Sequence, residues 1–174
     1  PDASPITVLF RPPRQRWAES ILRYGRTREG MEVAPADLSG VRRLIRALKS
    51  GESVGLLPDQ VPAAGQGAWL PWFGQPAYTM TLAARLAQTG ASVIFAYAER
   101  LPKGQGFVLT CAPPEAPLPL DDLEATAAAI NGNLMQLIRR CPTQYLWGYN
   151  RYKPPRGGGE EAQRPTLAQV ESGS

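Results

Sequence analysis

At 174 residues and 43% hydrophobic content, the chain carries enough apolar material for the core of a globular domain that needs neither disulfides nor a structural metal. It has no histidine, which excludes every Ser-His, Cys-His and Asp-His arrangement within the chain and with them a self-contained hydrolase triad. The formal net charge is +4, and Arg11, Arg14, Arg16, Arg23, Arg26, Arg28, Arg42, Arg43, Arg46 and Lys49 all precede the first long loop, which favours an anionic partner for that half: nucleic acid, anionic lipid or an acidic carrier protein.

The chain opens at Pro1 with no charged-then-apolar leader and no apolar run of bilayer-spanning length, so an upstream segment is expected to be missing. Ile6 to Phe10 is a short apolar, β-branched run stopped by Pro12-Pro13 and reads as a strand. Trp17, Ile21 and Tyr24 then recur at helical spacing up to Gly25. Val41, Leu44, Ile45 and Leu48 form the clearest helical stripe, with Arg42, Arg43, Arg46 and Lys49 on the other side and Gly51 as the stop. That basic face reads either as a solvated surface or as a contact for an anion.

Ser53 to Leu57, bounded by Gly51 and Pro58, reads as a buried strand of a mostly parallel sheet. A Gly-, Pro- and aromatic-rich stretch from Pro58 to Tyr78 reads as a long loop, and Thr79 as the N-cap of a helix through Leu82, Leu86 and Ala87, closed by Gly90. Ser92 to Ala98 is the next strand and pairs with Phe107 to Cys111 across Lys103–Gly106. Asp121 and Asp122 open a helix whose stripe is Ala127, Ile130, Leu134, Leu137 and Ile138, with Pro142 as the stop beyond it. The two cysteines, Cys111 and Cys141, lack metal-ligand spacing and read as ordinary buried thiols of a reducing compartment. From Arg156 onward the composition predicts a disordered tail. The elements describe an α/β layered domain; there is no repeat, and Gly65 and Gly67 lack the strand-turn-helix setting of a phosphate loop.

The chemistry is concentrated in Leu56 to Thr81. Asp59 and Gln60 follow a strand, where open α/β sheets bind ligands; a plain turn on Pro58-Asp59 is the alternative. The run LLPDQ…GQGAWLPWFGQPAYTMT, together with VLFRPP, LAQTGASVIFAYAERLPKGQGFVL and INGNLMQLIRRCPTQYLWGYNRYKPP, resembles the lipid A biosynthesis (late) acyltransferases, which belong with the lysophospholipid acyltransferase-like proteins. The resemblance covers Ile6 to Pro155, so residues 1–155 read as the C-terminal part of an acyltransferase domain and 156–174 as the tail.

The resemblance implies a layered glycerolipid-acyltransferase-like fold with a mostly parallel central sheet flanked by helices. It further implies acyl transfer from an acyl-carrier-protein thioester to a hydroxyl of a lipid A precursor, without cofactor or metal, at the cytoplasmic face of the bacterial inner membrane. The base of that family is a histidine in a His-x4-Asp/Glu motif upstream of the region similar to Ile6–Pro13. This chain has no histidine, so no catalytic residue is assigned in it. Either it begins after the motif, which the mid-domain character of its first residues favours, or it is a degenerate relative.

By resemblance the substrate-binding residues are Arg11, for phosphate or a developing oxyanion; Asp59 and Gln60; Trp72, Phe73 and Gly74; Thr79 and Thr81, which either hold an anion or cap a helix; and Arg151 with Lys153, near Trp147 and Tyr149, a composition suited to an anionic membrane surface. Asn150 departs from the pattern, standing where a second basic residue is common. Trp69, Trp72 and Phe73 line an acyl-chain groove or simply pack. The rival reading is a non-catalytic domain that binds anionic lipid. Nucleic-acid binding is the weaker third, because the aromatics and the arginines lie in different segments.

Overall fold

The computed structural model describes residues 5–10, 30–159 and 163–172. Arg11 and the short helix expected around Trp17, Ile21 and Tyr24 lie outside them. The chain divides after Leu57 into two compact units.

In the first unit, β1 (Ile6–Phe10), β2 (Met31–Pro35), α1 (Leu38–Lys49) and β3 (Ser53–Gly55) build a parallel sheet of order β2-β1-β3. Val8 sits in register with Val33 on one side and Gly55 on the other. The strand β2 was not expected: Met-Glu-Val-Ala-Pro is short and weakly alternating, and its partner is distant in sequence, so its pairing leaves no local signature. Helix α1 carries the expected stripe, with Leu44 and Ala47 buried and Arg42, Arg43, Arg46 and Lys49 exposed. Its N-cap is Asp37, whose carboxylate accepts from the Ser39 and Gly40 amides at 2.8 and 3.1 Å. The Ser39 hydroxyl, followed by the Gly40 amide, holds that carboxyl below its usual value. Part of the basic face is already engaged, since Arg43 donates to Glu32 at 2.6 Å and to the Val33 carbonyl at 3.2 Å.

The second unit corrects the largest error of the sequence reading. Pro58–Tyr78 is not one long loop, and Thr79 is not an N-cap. β4 (Gly67–Trp72) and β5 (Gln75–Met80) form an antiparallel hairpin in which Leu70 faces Ala77 and Trp72 faces Gln75. Prolines 71 and 76 stand opposite one another in it, which is why composition reads as loop rather than strand. Helix α2 (Leu82–Ala87) comes next, with Thr81 at its N-cap position but making no side-chain capping bond.

β6 (Phe95–Arg100) and β7 (Phe107–Ala112) pair as expected, starting later than Ser92. The 18-residue α3 (Leu123–Arg140) is capped by Asp122, which accepts from the Glu124 and Ala125 amides. Its stripe packs against β4, α2 and β6 around a core of Leu70, Ala84, Phe95, Ala127, Ile130 and Leu137. The α/β class holds. The mostly parallel sheet does not extend to these strands, because the short connections of both hairpins allow only antiparallel neighbours.

Within the stretch of tail-like composition, α4 (Leu167–Glu171) lies against β4 and β5. It is started by a capping box between Thr166 and Gln169, and Arg164 donates to Gln75 Oε1 at 2.9 Å. Among the described residues no helix is long and apolar enough to cross a membrane.

Gly40 shows how tightly α1 is set on its sheet, since a Cβ there would stand 1.7 Å from the Pro35 carbonyl oxygen. Gly40→Ala is therefore expected to lower stability by about 1–3 kcal/mol in urea unfolding, the usual cost of overpacking. An unchanged midpoint would show that helix and strand separate more easily than this contact implies.

Candidate functional site

Helix α3 buries two polar residues, Thr126 and Asn131, and the second reaches the β4–β5 hairpin. Asn131 is 1% exposed, and its Nδ2 donates to the Pro71 carbonyl at 3.2 Å and to Thr79 Oγ1 at 3.0 Å. The same hydroxyl accepts from Arg151 Nη2 at 2.9 Å and donates to the Ala77 carbonyl at 3.0 Å. One donor and two acceptor positions are all a hydroxyl has, so Thr79 is saturated by the protein. Arg151 Nη1 donates to the Tyr78 carbonyl at 2.8 Å, and the guanidinium lies 5.0 Å from the centre of the Trp72 ring. Asn131, Thr79 and Arg151 thus fasten α3, the β4–β5 hairpin and the closing segment Cys141–Pro155 to one another.

Arg151 is 3% exposed, has a guanidinium Nε without a hydrogen-bond partner, and takes part in no ion pair among the described residues. Burial lowers its pKa, opposed by the neighbouring Tyr145, Tyr149, Asp59 and Tyr152. At neutral pH an arginine keeps its charge, and the acidic residue among these neighbours is Asp59, which forms no ion pair with it.

Around this anchor the closing segment folds back on the hairpin. Tyr152 donates its hydroxyl to the Trp72 carbonyl at 3.0 Å, and the Tyr149 hydroxyl accepts from the Val61 amide at 2.9 Å. Lys153 lies 4.4 Å from the centre of the Tyr149 ring. Trp72, Tyr145, Trp147 and the stretch from Gly148 to Tyr152 line a cavity of about 280 Å³. The Tyr145 hydroxyl has its pKa pushed up to about 12, first by burial and then by the nearby Asp59 carboxylate. It remains a protonated donor throughout the physiological range.

The residues singled out from the sequence are therefore not equivalent. Asp59, Trp72, Arg151 and Lys153 converge on this cavity or its rim. Asp59 itself lies in the turn begun by Pro58. Thr79 is 2% exposed and bonded to Arg151 and Asn131, a tie between elements. Thr81 Oγ1 faces the Gln66 carbonyl at 3.4 Å. Phe73 and Gly74 form the hairpin tip, and Gln60 is exposed. Trp69 packs edge-on against Tyr78, while Trp72 is 1% exposed, packs edge-on against Phe73 and also lines the cavity.

Asn131 and Tyr145 were missed. The signal for Asn131 was a single amide among alanines and leucines on a buried helical face; Tyr145 had no signal beyond its place in the closing run.

Removing the Thr79 hydroxyl strands a buried amide and a buried guanidinium together. Thr79→Val is expected to cost about 3 kcal/mol in chemical unfolding, and Thr79→Ser, which keeps the hydroxyl, much less; equal losses would mean that the methyl group matters more. The raised Tyr145 value gives a second expectation. A folded-state pKa above the ordinary 10.0 contributes stability that is complete below pH 10 and is lost as pH rises through about 12. Phenolate absorbance should show a late-titrating tyrosine that Tyr145→Phe removes, together with part of the alkaline loss of stability. Persistence of both would assign the late step to another tyrosine.

Residues 2–154 match the family model described as bacterial lipid A biosynthesis acyltransferase. The chain is 33% identical over 147 residues to the lipid A biosynthesis lauroyltransferase of Escherichia coli (strain K12), an alignment covering 83% of this chain and 47% of that protein. It is 29% identical over 153 residues both to the lipid A biosynthesis palmitoleoyltransferase of the same strain and to a lipid A biosynthesis acyltransferase of Shigella flexneri, covering 86% of this chain and 48% of each. The chain spans about half the length of the curated relatives it matches. With four sequence blocks in family order, an anchored aromatic cavity formed by two of them, and a match running through nearly the whole of both units, this chain belongs to the bacterial lipid A biosynthesis acyltransferases.

Proposed function

We propose that this chain is the substrate-holding part of an enzyme that moves an acyl group from an acyl-carrier-protein thioester to a hydroxyl of a lipid A precursor. The site of action is the cytoplasmic face of the bacterial inner membrane, against an anionic lipid surface, and the scaffold in the intact protein is a layered glycerolipid-acyltransferase-like fold. The observation that carries this reading is the family membership, together with the convergence of two family blocks, through Asp59 and Trp72 on one side and Tyr145 and Arg151 on the other, at one cavity.

In the reaction the acceptor oxygen attacks the thioester carbonyl, a base takes its proton, and the tetrahedral intermediate collapses with the carrier's thiolate leaving. No histidine is available in these residues, so the base is supplied from outside them. The contribution of this chain is orientation. Asp59, beside the Tyr145 hydroxyl, presents a carboxylate that accepts hydrogen bonds from a polar headgroup. Arg151 fixes the wall behind it without being spent on the substrate, because both terminal nitrogens already have protein partners.

The 174-residue chain alone should show no acyl transfer, and the full-length protein should transfer from acyl carrier protein to a lipid A precursor. In the full-length protein, Asp59→Ala and Arg11→Ala should each lower kcat/KM by about tenfold or more, the scale of one lost charge-assisted contact. Turnover by the chain alone would refute an external base. A full-length protein that binds anionic lipid yet transfers nothing would establish the rival reading of a lipid-binding domain.

A further inference from the structure

The tip of the β4–β5 hairpin uses an unfavourable residue. Phe73 has φ 48 and Gly74 φ 73, the left-handed pair that a two-residue hairpin turn requires and that Asn-Gly fills at least cost. A phenylalanine there strains the backbone, and its ring is held in a particular place. It packs edge-on against Trp72 at 5.5 Å and tilts toward Trp147 at 6.0 Å, with the Arg139 guanidinium 5.4 Å from its centre. Beside it, Leu146 is 72% and Trp147 58% exposed.

Trp147 stacks edge-on with Tyr145 at 4.9 Å, and its only polar group, Nε1, donates to the Pro142 carbonyl at 2.7 Å. Its exposed surface therefore needs nothing from water and loses no hydrogen bond on entering an apolar medium. The charges around this apolar tip are mainly cationic. Arg139 is exposed and has no ion pair among the described residues, and Lys153 lies over Tyr149. Arg140 faces Glu115 at 3.7 Å.

We propose that this edge, formed by Phe73, Leu146 and Trp147 with Arg139 and Lys153 around it, docks the protein on an anionic bilayer. The side chains of Leu146 and Trp147 enter at headgroup depth, and the cations meet lipid phosphates. This deepens the functional reading, on which it rests only for the presence of a membrane, by naming the surface that faces it. Another exposed apolar stretch, Phe107 to Leu109 on β7, has Arg100 5.6 Å from the Phe107 ring and Glu99 in register with Val108.

The test is flotation of the 174-residue chain with phosphatidylcholine vesicles, with or without phosphatidylglycerol, and without acyl donor or acceptor, so its outcome is independent of any catalytic result. The chain should float only with the anionic vesicles, less at high salt, and brominated acyl chains should quench tryptophan emission. Leu146→Ser should weaken partitioning about tenfold and Arg139→Gln about fivefold. Phe73→Asn should weaken it while raising thermal stability, opposite signs that a loss of folding would not produce. Trp147→Phe should abolish the bromine quenching. Unchanged partitioning of Leu146→Ser and Arg139→Gln would overturn the proposal. So would loss in Leu109→Ser but not in Leu146→Ser, or binding of an acidic carrier protein without binding of vesicles.

Discussion

A buried cation organises the second unit. Arg151 comes from a segment with almost no regular structure, yet it is enclosed between an indole face and two strand residues. Placing a guanidinium there is costly unless its hydrogen bonds are made and a compensating charge stands nearby. These conditions select for neighbours: Thr79 must be a hydroxyl, the Tyr78 carbonyl must point inward, Trp72 must offer its face, and Asp59 must stand within electrostatic reach. Asn131 completes the arrangement from α3. The aromatic cavity is a consequence, because the segment that carries Arg151 cannot leave the hairpin without exposing or stranding the charge.

This arrangement separates two tasks that a list of polar residues would merge. The Thr79 hydroxyl, the Asn131 Nδ2 and the two terminal nitrogens of Arg151 are bonded to one another and to backbone carbonyls, and they act by holding elements together. Tyr145 lines the cavity, and Asp59 and Lys153 lie beside two of its lining tyrosines, Tyr145 and Tyr149. A pre-formed wall lowers the cost of orienting a flexible ligand against it.

The parts of this structure that were legible in the sequence are those set by local rules. The α1 stripe of Leu44 and its neighbours, the Asp122 cap, and the β6–β7 pairing across a glycine-containing turn all come from spacing and termini. The β4–β5 hairpin was hidden because its strands contain proline and its turn is Phe-Gly rather than Asn-Gly, so composition pointed to a loop. Strand β2 was hidden because parallel pairing is decided by a distant partner. At the site, Arg151, Thr79 and Asp59 were found by resemblance, but which of them touch one another was not readable. That depends on a register in which Thr79 opposes Ala68 and on a helical face that brings Asn131 to the same hydroxyl.

The most direct measurement is amide hydrogen exchange on Arg151→Met, which keeps the bulk of the side chain and removes its donors and charge. Protection is predicted to fall together in Gln75–Met80 and in the Tyr145–Tyr152 stretch, while α1 in the first unit keeps its own. Faster exchange confined to the closing segment, with the hairpin as protected as before, would contradict the claim that this buried cation holds the site together.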